Sequence, residues 1–142
     1  MMPACHLTKM GRSQREKGAN AEREVAKIIA SYGFDARRGQ VFNGEPDIVC
    51  PALPVHFEIK RQETLKMNEW FAQAEGACGE KYPVVVFRQS RKAWQITMKI
   101  TDFLALVSKG PDTLPTFRMT MDFNDFMLIL KDLYQAQEKS NV

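Results

Sequence analysis

The sequence is poor in the residues and patterns from which disulfide frameworks, zinc sites and membrane spans are built. Its 142 residues include only two histidines and three cysteines, Cys5, Cys50 and Cys78, which are scattered and show no CxxC spacing. This pattern excludes a disulfide framework and a zinc site, and it indicates a reducing cytoplasm. No run of 18 apolar residues occurs, and residues 1–11 lack the apolar segment of a signal peptide, so we expect no membrane association.

Charge is unevenly distributed along the chain, although the net charge is only +3. Residues 1–40 contain eight Lys and Arg against four Asp and Glu, residues 41–80 three against seven, and residues 81–100 five against none. Basic segments therefore flank an acidic centre, which suits a metal site within a phosphate-binding surface. The competing interpretation is that these are solvated surface charges whose uneven distribution arose by chance. We expect a flexible basic arm over residues 1–17 and a single domain over 18–142.

Two neighbouring segments at 45–49 and 55–60 are rich in β-branched and aromatic residues and predict strands. Because side chains alternate along a strand, Glu58 and Lys60 share one face, opposite the apolar one. A hairpin-like pairing of the two strands would place Asp47 beside them. Two carboxylates and a lysine at one sheet edge suit a hard cation and a phosphodiester. An acid and a lysine on a solvated strand face are the alternative.

A helix is predicted over residues 18–32, with Asn20 as its N-cap. The apolar residues of this segment follow helical spacing and form one buried stripe: Val25, Ile28, Ile29 and Tyr32. Glu22 lies on the same side of the helix as this stripe and not on the solvated side. It is either a first-turn acid that interacts with the helix dipole or a carboxylate directed into a site.

The segment after this helix predicts a strand over 34–38 and a loop over 39–46. Arg37 and Arg38 end that strand, and either guanidinium could hold a phosphate through two hydrogen bonds. Solvated surface arginines are the alternative interpretation.

The second half of the chain predicts alternating helices and strands. A helical stripe starts at Met67, and beside it Gln73 is either directed toward the site or a surface amide. A central strand follows over 83–89, then an outer strand from Trp94, a short helix from Thr101, a loop over 110–115, and a last helix from Asp122 or Asn124. We expect an α/β domain with a mixed central sheet flanked by helices, and a C-terminal helical extension over 101–142.

The order of several motifs resembles that of the PD-(D/E)xK nucleases, and among them the archaeal-type Holliday junction resolvases and their phage relatives. The matching motifs are Ala21-Glu22-Arg23-Glu24, Gly33-Phe34 with Arg38, Pro46-Asp47, Glu58-Ile59-Lys60 and the following Trp/Gln helix. The resemblance covers roughly residues 17–100, and it implies a restriction-endonuclease-like core. The loop at 39–46 lacks the serine that archaeal members commonly carry, which weakens the junction assignment more than the nuclease assignment.

The resemblance also implies roles for the matching residues. Asp47 and Glu58 would bind Mg²⁺, with Mn²⁺ as a substitute, and Glu22 would complete or adjust the metal site. Lys60 would orient the attacking water and balance charge. Further residues are candidates for DNA contact: Arg37, Arg38, Arg61 and Gln73.

The implied function is metal-dependent hydrolysis of DNA, most specifically resolution of four-way junctions by a two-fold homodimer. The partner would be branched or duplex DNA, and the location the cytoplasm, which is the host cytoplasm for a phage protein. A restriction-like or repair nicking nuclease of the same fold is one alternative. A nucleic-acid-binding module without catalytic activity is another, since a fold alone does not decide function.

Overall fold

A computed structural model describes the backbone of residues 2–108 and 117–135, and the side chains of residues 13–107 and 117–135. The elements follow in this order: α1 (Met2–Ser31), β1 (Arg37–Arg38), a 3₁₀ turn (Val41–Asn43), β2 (Ile48–Val49), β3 (Val55–Arg61), α2 (Met67–Ala77), β4 (Tyr82–Arg88), β5 (Gln95–Lys99), α3 (Ile100–Ser108), β6 (Arg118–Asp122), α4 (Phe123–Leu130) and a π-helical turn (Lys131–Gln135).

The main sheet has four strands in the order β3-β4-β5-β6. β3 and β4 are parallel and are joined through α2, whereas the pairs β4–β5 and β5–β6 are antiparallel. Parallel neighbours require such a crossover, and α2 supplies it. The predicted mixed α/β sheet with flanking helices is therefore confirmed.

Strand β4 is buried on both faces, as its continuous apolar sequence predicted. Val84 and Val86 belong to the larger core with α1 and α4, whereas Val85 and Phe87 pack against the buried apolar side of α2. The same alternation in β3 directs Phe57 into the larger core. Its opposite face, which carries the acid and the lysine, therefore lies on the α2 side of the sheet.

Helix α1 begins at Met2 rather than near Gly18, so the residues expected to form an irregular basic arm are helical. Pro3 is compatible with the first turn of a helix, and the next proline lies beyond the end of α1. Arg, Gln, Glu and Lys at 12–17 are good helix formers, which explains the continuity. In the part of the chain that the structure describes, neither this 30-residue helix nor any other is apolar enough over a sufficient length to cross a membrane.

The expected pairing between the 47–50 and 55–60 segments is wrong. β2 instead pairs antiparallel with β1, with Arg38 opposite Ile48, and the two form a small ribbon separate from the main sheet. Within the expected strand at 34–38, only Arg37 and Arg38 form a β-strand. The turn at 51–54 is occupied by proline and buried Leu53, and it does not close a hairpin.

The C-terminal segment is not purely helical, because β6 completes the sheet. β5 was expected to be an outer strand, but it lies between β4 and β6. The alternation of polar and apolar residues in β5 suggested a strand with one exposed face, but Thr97 is buried against β6. The hydroxyl groups of Thr97 and Thr120 form a hydrogen bond of 2.6 Å. The Asp122 N-cap of α4 is confirmed, since its carboxylate accepts a hydrogen bond from the amide of Asp125. The predicted loop at 110–115 lies outside the described residues.

Candidate active site at the edge of strand β3

Asp47 reaches β3 through its side chain rather than through strand pairing. β3 is an end strand of the main sheet, and its Ile59 amide donates to Asp47 Oδ2 at 3.1 Å. Glu58 precedes that amide, so the backbone bond fixes the Asp47 carboxylate next to the Glu58 side chain. The two acids that the sequence analysis singled out are thus brought together at the sheet edge.

The electrostatics of the site follow from the burial and closeness of its acids. Burial, followed by the negative charge of Glu58, raises the pKa of Asp47 to about 6, and the charge of Glu22 adds to the shift. Burial also disfavours ionised Glu58, but a hydrogen bond with His56 and the charge of Lys60 outweigh it and lower the pKa of Glu58. The first proton that this carboxyl pair binds therefore goes to Asp47.

His56 is a site residue to which the sequence analysis gave no role. Its Nε2 lies 3.2 Å from Glu58 Oε1, and both side chains are buried, at 6% and 7% exposure. Strand alternation was the available signal, because residues 56 and 58 share a face. A buried carboxylate is otherwise costly, so His56 both stabilises Glu58 and fixes its orientation.

Glu22 lies near the acid pair but bonds to an arginine. Its Oε2 accepts from Arg38 Nε at 2.6 Å in a partly buried ion pair. Helix α1 and the β1–β2 ribbon are thereby joined beside the site. Of the two roles left open for Glu22, direction into the site is the one that this geometry favours over a helix-dipole role, because α1 begins twenty residues earlier.

Lys60 and Gln73 meet on the α2 side of the sheet. Lys60 Nζ donates to Gln73 Oε1 at 2.7 Å, so the amide on α2 is directed toward the β3 face and is not a purely solvated group. Gln73 therefore restricts the position of the lysine next to Glu58.

Arg37 is not brought to the acids. Its guanidinium makes two hydrogen bonds of 2.8 Å to the carboxylate oxygens of Glu45, and this pairing lowers the pKa of Glu45 to about 2. Glu45 also accepts from the Gln40 amide at 2.8 Å, so the ion pair braces the loop at 39–46. A side chain at Gly39 would collide with the Pro46 carbonyl, which explains the glycine.

A basic cleft of about 590 Å³ adjoins the end of β3. Its lining comes from α1 and from the connector that follows β3: Gln14, Lys17, Gly18, Ile59, Lys60, Arg61, Gln62, Glu63, Thr64 and Lys66. Within the described part of the chain, the buried Nε of Arg61 has no hydrogen-bond partner. An unpaired buried donor of this kind is unfavourable for folding.

The donor set fits a divalent cation, although the site is not fully preformed. Among the described residues, no group of three His, Cys, Asp or Glu side chains is arranged to hold a metal ion. Asp47 and Glu58 do form an adjacent carboxylate pair whose mutual repulsion favours a bound proton. A hard cation that binds carboxylate oxygens would relieve the same repulsion and would displace that proton.

The raised pKa of Asp47 predicts a pH-dependent stability. The folded value of about 6 exceeds the unfolded reference of 3.8, so the folded chain binds more protons between these pH values. The contribution of Asp47 to the free energy of unfolding should therefore fall as pH rises from about 4 to about 6, by about 2–3 kcal/mol. Asp47→Asn removes the ionisable group, and we expect this variant to be more stable than wild type by about 2 kcal/mol at pH 7.5.

Urea unfolding in EDTA at pH 4 and pH 7.5 measures this difference. Most of the gain should disappear at pH 4, where the folded wild-type carboxyl is protonated and the unfolded one, with its reference pKa of 3.8, is about half protonated. Equal stability of wild type and variant at pH 7.5 would show that Asp47 is neither buried nor close to Glu58 as described.

Comparison with known proteins shows similarity to one family model and to solved structures of other proteins. The chain matches the model of a family described as "Phage putative PDDEXK endonuclease" over residues 13–136. It is also similar to the 1.6 Å structure of Hjc, a Holliday junction resolvase from the archaeal hyperthermophile Archaeoglobus fulgidus, at 19% identity and a TM-score of 0.42. That match covers 84% of this chain and 88% of the archaeal one. No curated protein matches the chain.

Proposed function

The chain belongs to the phage PDDEXK endonuclease family, and on that premise we propose that it is a magnesium-dependent DNA endonuclease that cuts four-way junctions. The observation that carries the proposal is the contact between Asp47 and Glu58 at the edge of β3, with Lys60 on the same strand. These positions are those of the PD and ExK motifs in the sequence.

Asp47 and Glu58 would hold the metal ion, with Glu22 nearby. When bound, Mg²⁺ acts as a Lewis acid that lowers the pKa of water and neutralises charge developing on the phosphoryl oxygens. Mn²⁺, which also prefers oxygen ligands, is expected to substitute for it.

The protein groups position the reaction and balance its charge. Lys60, held by Gln73 at 2.7 Å, is placed to orient the attacking water and to offset negative charge beside Glu58. His56 keeps the Glu58 carboxylate ionised and oriented, as an outer partner of a ligand does in metal sites. Glu22, through its ion pair with Arg38, links α1 to the ribbon that delivers Asp47.

The cleft beside Lys60 is the proposed path of the DNA backbone. Lys17 on α1, together with Arg61 and Lys66, gives it an excess of positive charge, since Glu63 is the one acid among its described lining residues. Glu63 itself accepts hydrogen bonds from Ser90 on the β4–β5 connection. Arg61 lines this cleft directly after Lys60, so its guanidinium is the phosphate ligand that we propose there.

Replacing Arg61 by alanine should weaken DNA binding in a salt-dependent way. Loss of one phosphate contact is expected to reduce the slope of log K against log salt concentration by about 0.9. Fluorescence anisotropy with labelled duplex over a salt series measures the slope. Lys131→Ala removes an exposed charge on the C-terminal side of α4 and serves as the control. Equal slopes for wild type and Arg61→Ala would remove Arg61 from the DNA path.

The proposed activity is tested with a synthetic four-way junction, a duplex of the same sequence and a single strand, each with Mg²⁺ or with EDTA. We expect cleavage of the junction in Mg²⁺ and none in EDTA. Cleavage of the junction and the duplex at equal rates would favour a restriction-like or repair nicking nuclease. Binding without cleavage in Mg²⁺ and in Mn²⁺ would favour a DNA-binding module without catalysis.

Symmetric resolution of a junction requires two active sites that face opposed strands, so we also propose a two-fold homodimer. Sedimentation of the free protein and of its junction complex measures this assembly. We place the reaction in the cytoplasm, where phage DNA is processed and where free Cys50 and Cys78 remain reduced.

A further inference from the structure

The loop between β1 and β2 carries two apolar side chains that are directed into solvent. Val41 is 80% exposed and Phe42 is completely exposed, at 101%. A phenylalanine in this position gains nothing from burial in the free protein. Val41 and Phe42 are adjacent and are the most exposed of the large apolar residues that the structure describes, so together they form a small apolar patch that a ligand can cover.

The hydrogen bonds of the loop hold Val41 and Phe42 in their exposed positions. The residues on either side of the tip are held together: the Gly44 amide donates to the Val41 carbonyl at 3.0 Å, and Asn43 Nδ2 donates to Gln40 Oε1 at 2.9 Å. Gly44 adopts φ +68°, a conformation that closes the turn and favours glycine. The bidentate ion pair at the base of the loop, described above, fixes this turn on the ribbon.

The loop also leads directly into the proposed active site. The Gly39 amide donates to the Asp47 carbonyl at 2.9 Å, which fastens the base of the loop beside the carboxylate pair. Phe42 is five residues from Asp47, so its backbone lies within about 18 Å of that residue. A ligand that spans this distance can contact the ring and the acids together.

A second cavity of about 450 Å³ lies beside β1, the strand that leads into the loop. Its described lining includes three arginines, Arg15, Arg23 and Arg38, of which Arg38 is paired with Glu22, and one acid, Glu16. A phosphate-rich polymer complements this excess of positive charge and also offers flat aromatic rings. Nucleic-acid bases stack on aromatic side chains, whichever base is present.

We propose that Phe42 stacks on a base of the DNA substrate close to the bond that is cut, and that Val41 packs against the neighbouring nucleotide. This inference rests on the proposed nuclease function and adds a reader of DNA distortion to it. Insertion of an apolar side chain requires a base step to open, which is easiest where stacking is already interrupted. The ring would therefore favour branched or kinked DNA over regular duplex.

Three variants test the proposal. Phe42→Ala removes the ring, Phe42→Trp retains a stacking surface and adds a fluorophore, and Phe117→Ala removes a phenylalanine that is 57% exposed beside β6, at the opposite end of the sheet. Binding to a labelled four-way junction and to its duplex is measured by anisotropy in EDTA, and cleavage in Mg²⁺. The two native tryptophans are buried, so the change in emission relative to wild type reports on position 42.

We expect Phe42→Ala to bind the junction about tenfold or more weakly, since one stacked base contributes about that factor. Phe42→Trp should bind as wild type, with its emission quenched by DNA, and Phe117→Ala should bind as wild type. Suppose that the wild-type protein cleaves the junction and that Phe42→Ala binds the junction as tightly as wild type does. This result would overturn the stacking role and leave the proposed function intact. If wild type neither binds nor cuts DNA, both proposals fail.

Two further measurements test whether the loop contacts a second copy of the chain or a membrane instead of DNA. Sedimentation of Phe42→Ala as a monomer when wild type is a dimer would make the ring a contact between copies of the chain. Quenching or a blue shift of Phe42→Trp emission by phosphatidylserine vesicles, without a response to DNA, would make it a membrane contact. Either result would overturn base stacking.

Discussion

Asp47→Asn is expected to lower the rate of DNA cleavage by about 1,000-fold or more, because it removes a charge that would hold the metal ion and balance the transition state. The amide oxygen can still accept the hydrogen bond from Ile59, so the local fold should be retained. Single-turnover cleavage of a labelled junction in Mg²⁺ measures the rate. Combined with the stability gain expected at pH 7.5, the variant would be both more stable and inactive, which is typical of residues kept for function.

Asp132→Asn is the matched control for this experiment. It makes the same chemical change at an exposed acid in the π-helical turn after α4. We expect this control to cleave as wild type does. An Asp47→Asn variant with more than a tenth of wild-type activity would remove Asp47 from the metal site.

Phe57→Ala is expected to lower the free energy of unfolding by about 3–5 kcal/mol, a large share of the stability of a domain of this size. Phe57 is 1% exposed and lies in β3 directly before Glu58, in contact with the larger core. Truncation leaves a cavity on the face opposite the acids, and close-packed neighbours fill such cavities only in part. Urea unfolding at pH 6 measures the loss.

The control for the core variant is Leu128→Ala, at a residue of α4 that is 52% exposed. Its effect should be within about 0.5 kcal/mol of wild type, because little apolar surface is lost. If Phe57→Ala loses no more stability than this control, the packing of β3 against α1 is not as described.

The central part of the site was readable from the sequence. The alternation of β3 placed Glu58 and Lys60 together, and the resemblance to PD-(D/E)xK nucleases, now confirmed by the family match, identified Asp47. The contact that positions Asp47 was not readable, because it joins a side chain to a backbone amide at the edge of a sheet. Sequence patterns report periodicity, whereas such a bond depends on tertiary placement. His56 was missed for a related reason, since strand alternation places it on the face of Glu58 but does not show that the two buried side chains form a hydrogen bond.

The ends of the fold were the least predictable parts. The continuation of α1 to Met2 depends on helix propensity in a segment whose polar composition also suits an irregular arm. Strand β6 lies between a polar loop and a strongly helical segment, and its Arg118–Asp122 sequence has no continuous apolar face. Its pairing with β5 is a long-range contact that local propensity does not specify.

The fastening of the loop at its base has a consequence for how this enzyme can diversify. Gly39 and Asp47 are joined by a backbone hydrogen bond, and Gly39 packs against Pro46, so residues 40–45 project beyond a fixed closure. We expect changes within residues 41–44 to have little effect on the carboxylate pair, because the Arg37–Glu45 ion pair and the backbone closure stay in place. Variation of these four residues should therefore alter contacts made by the tip, and the same segment is the natural place for loop grafting in the laboratory.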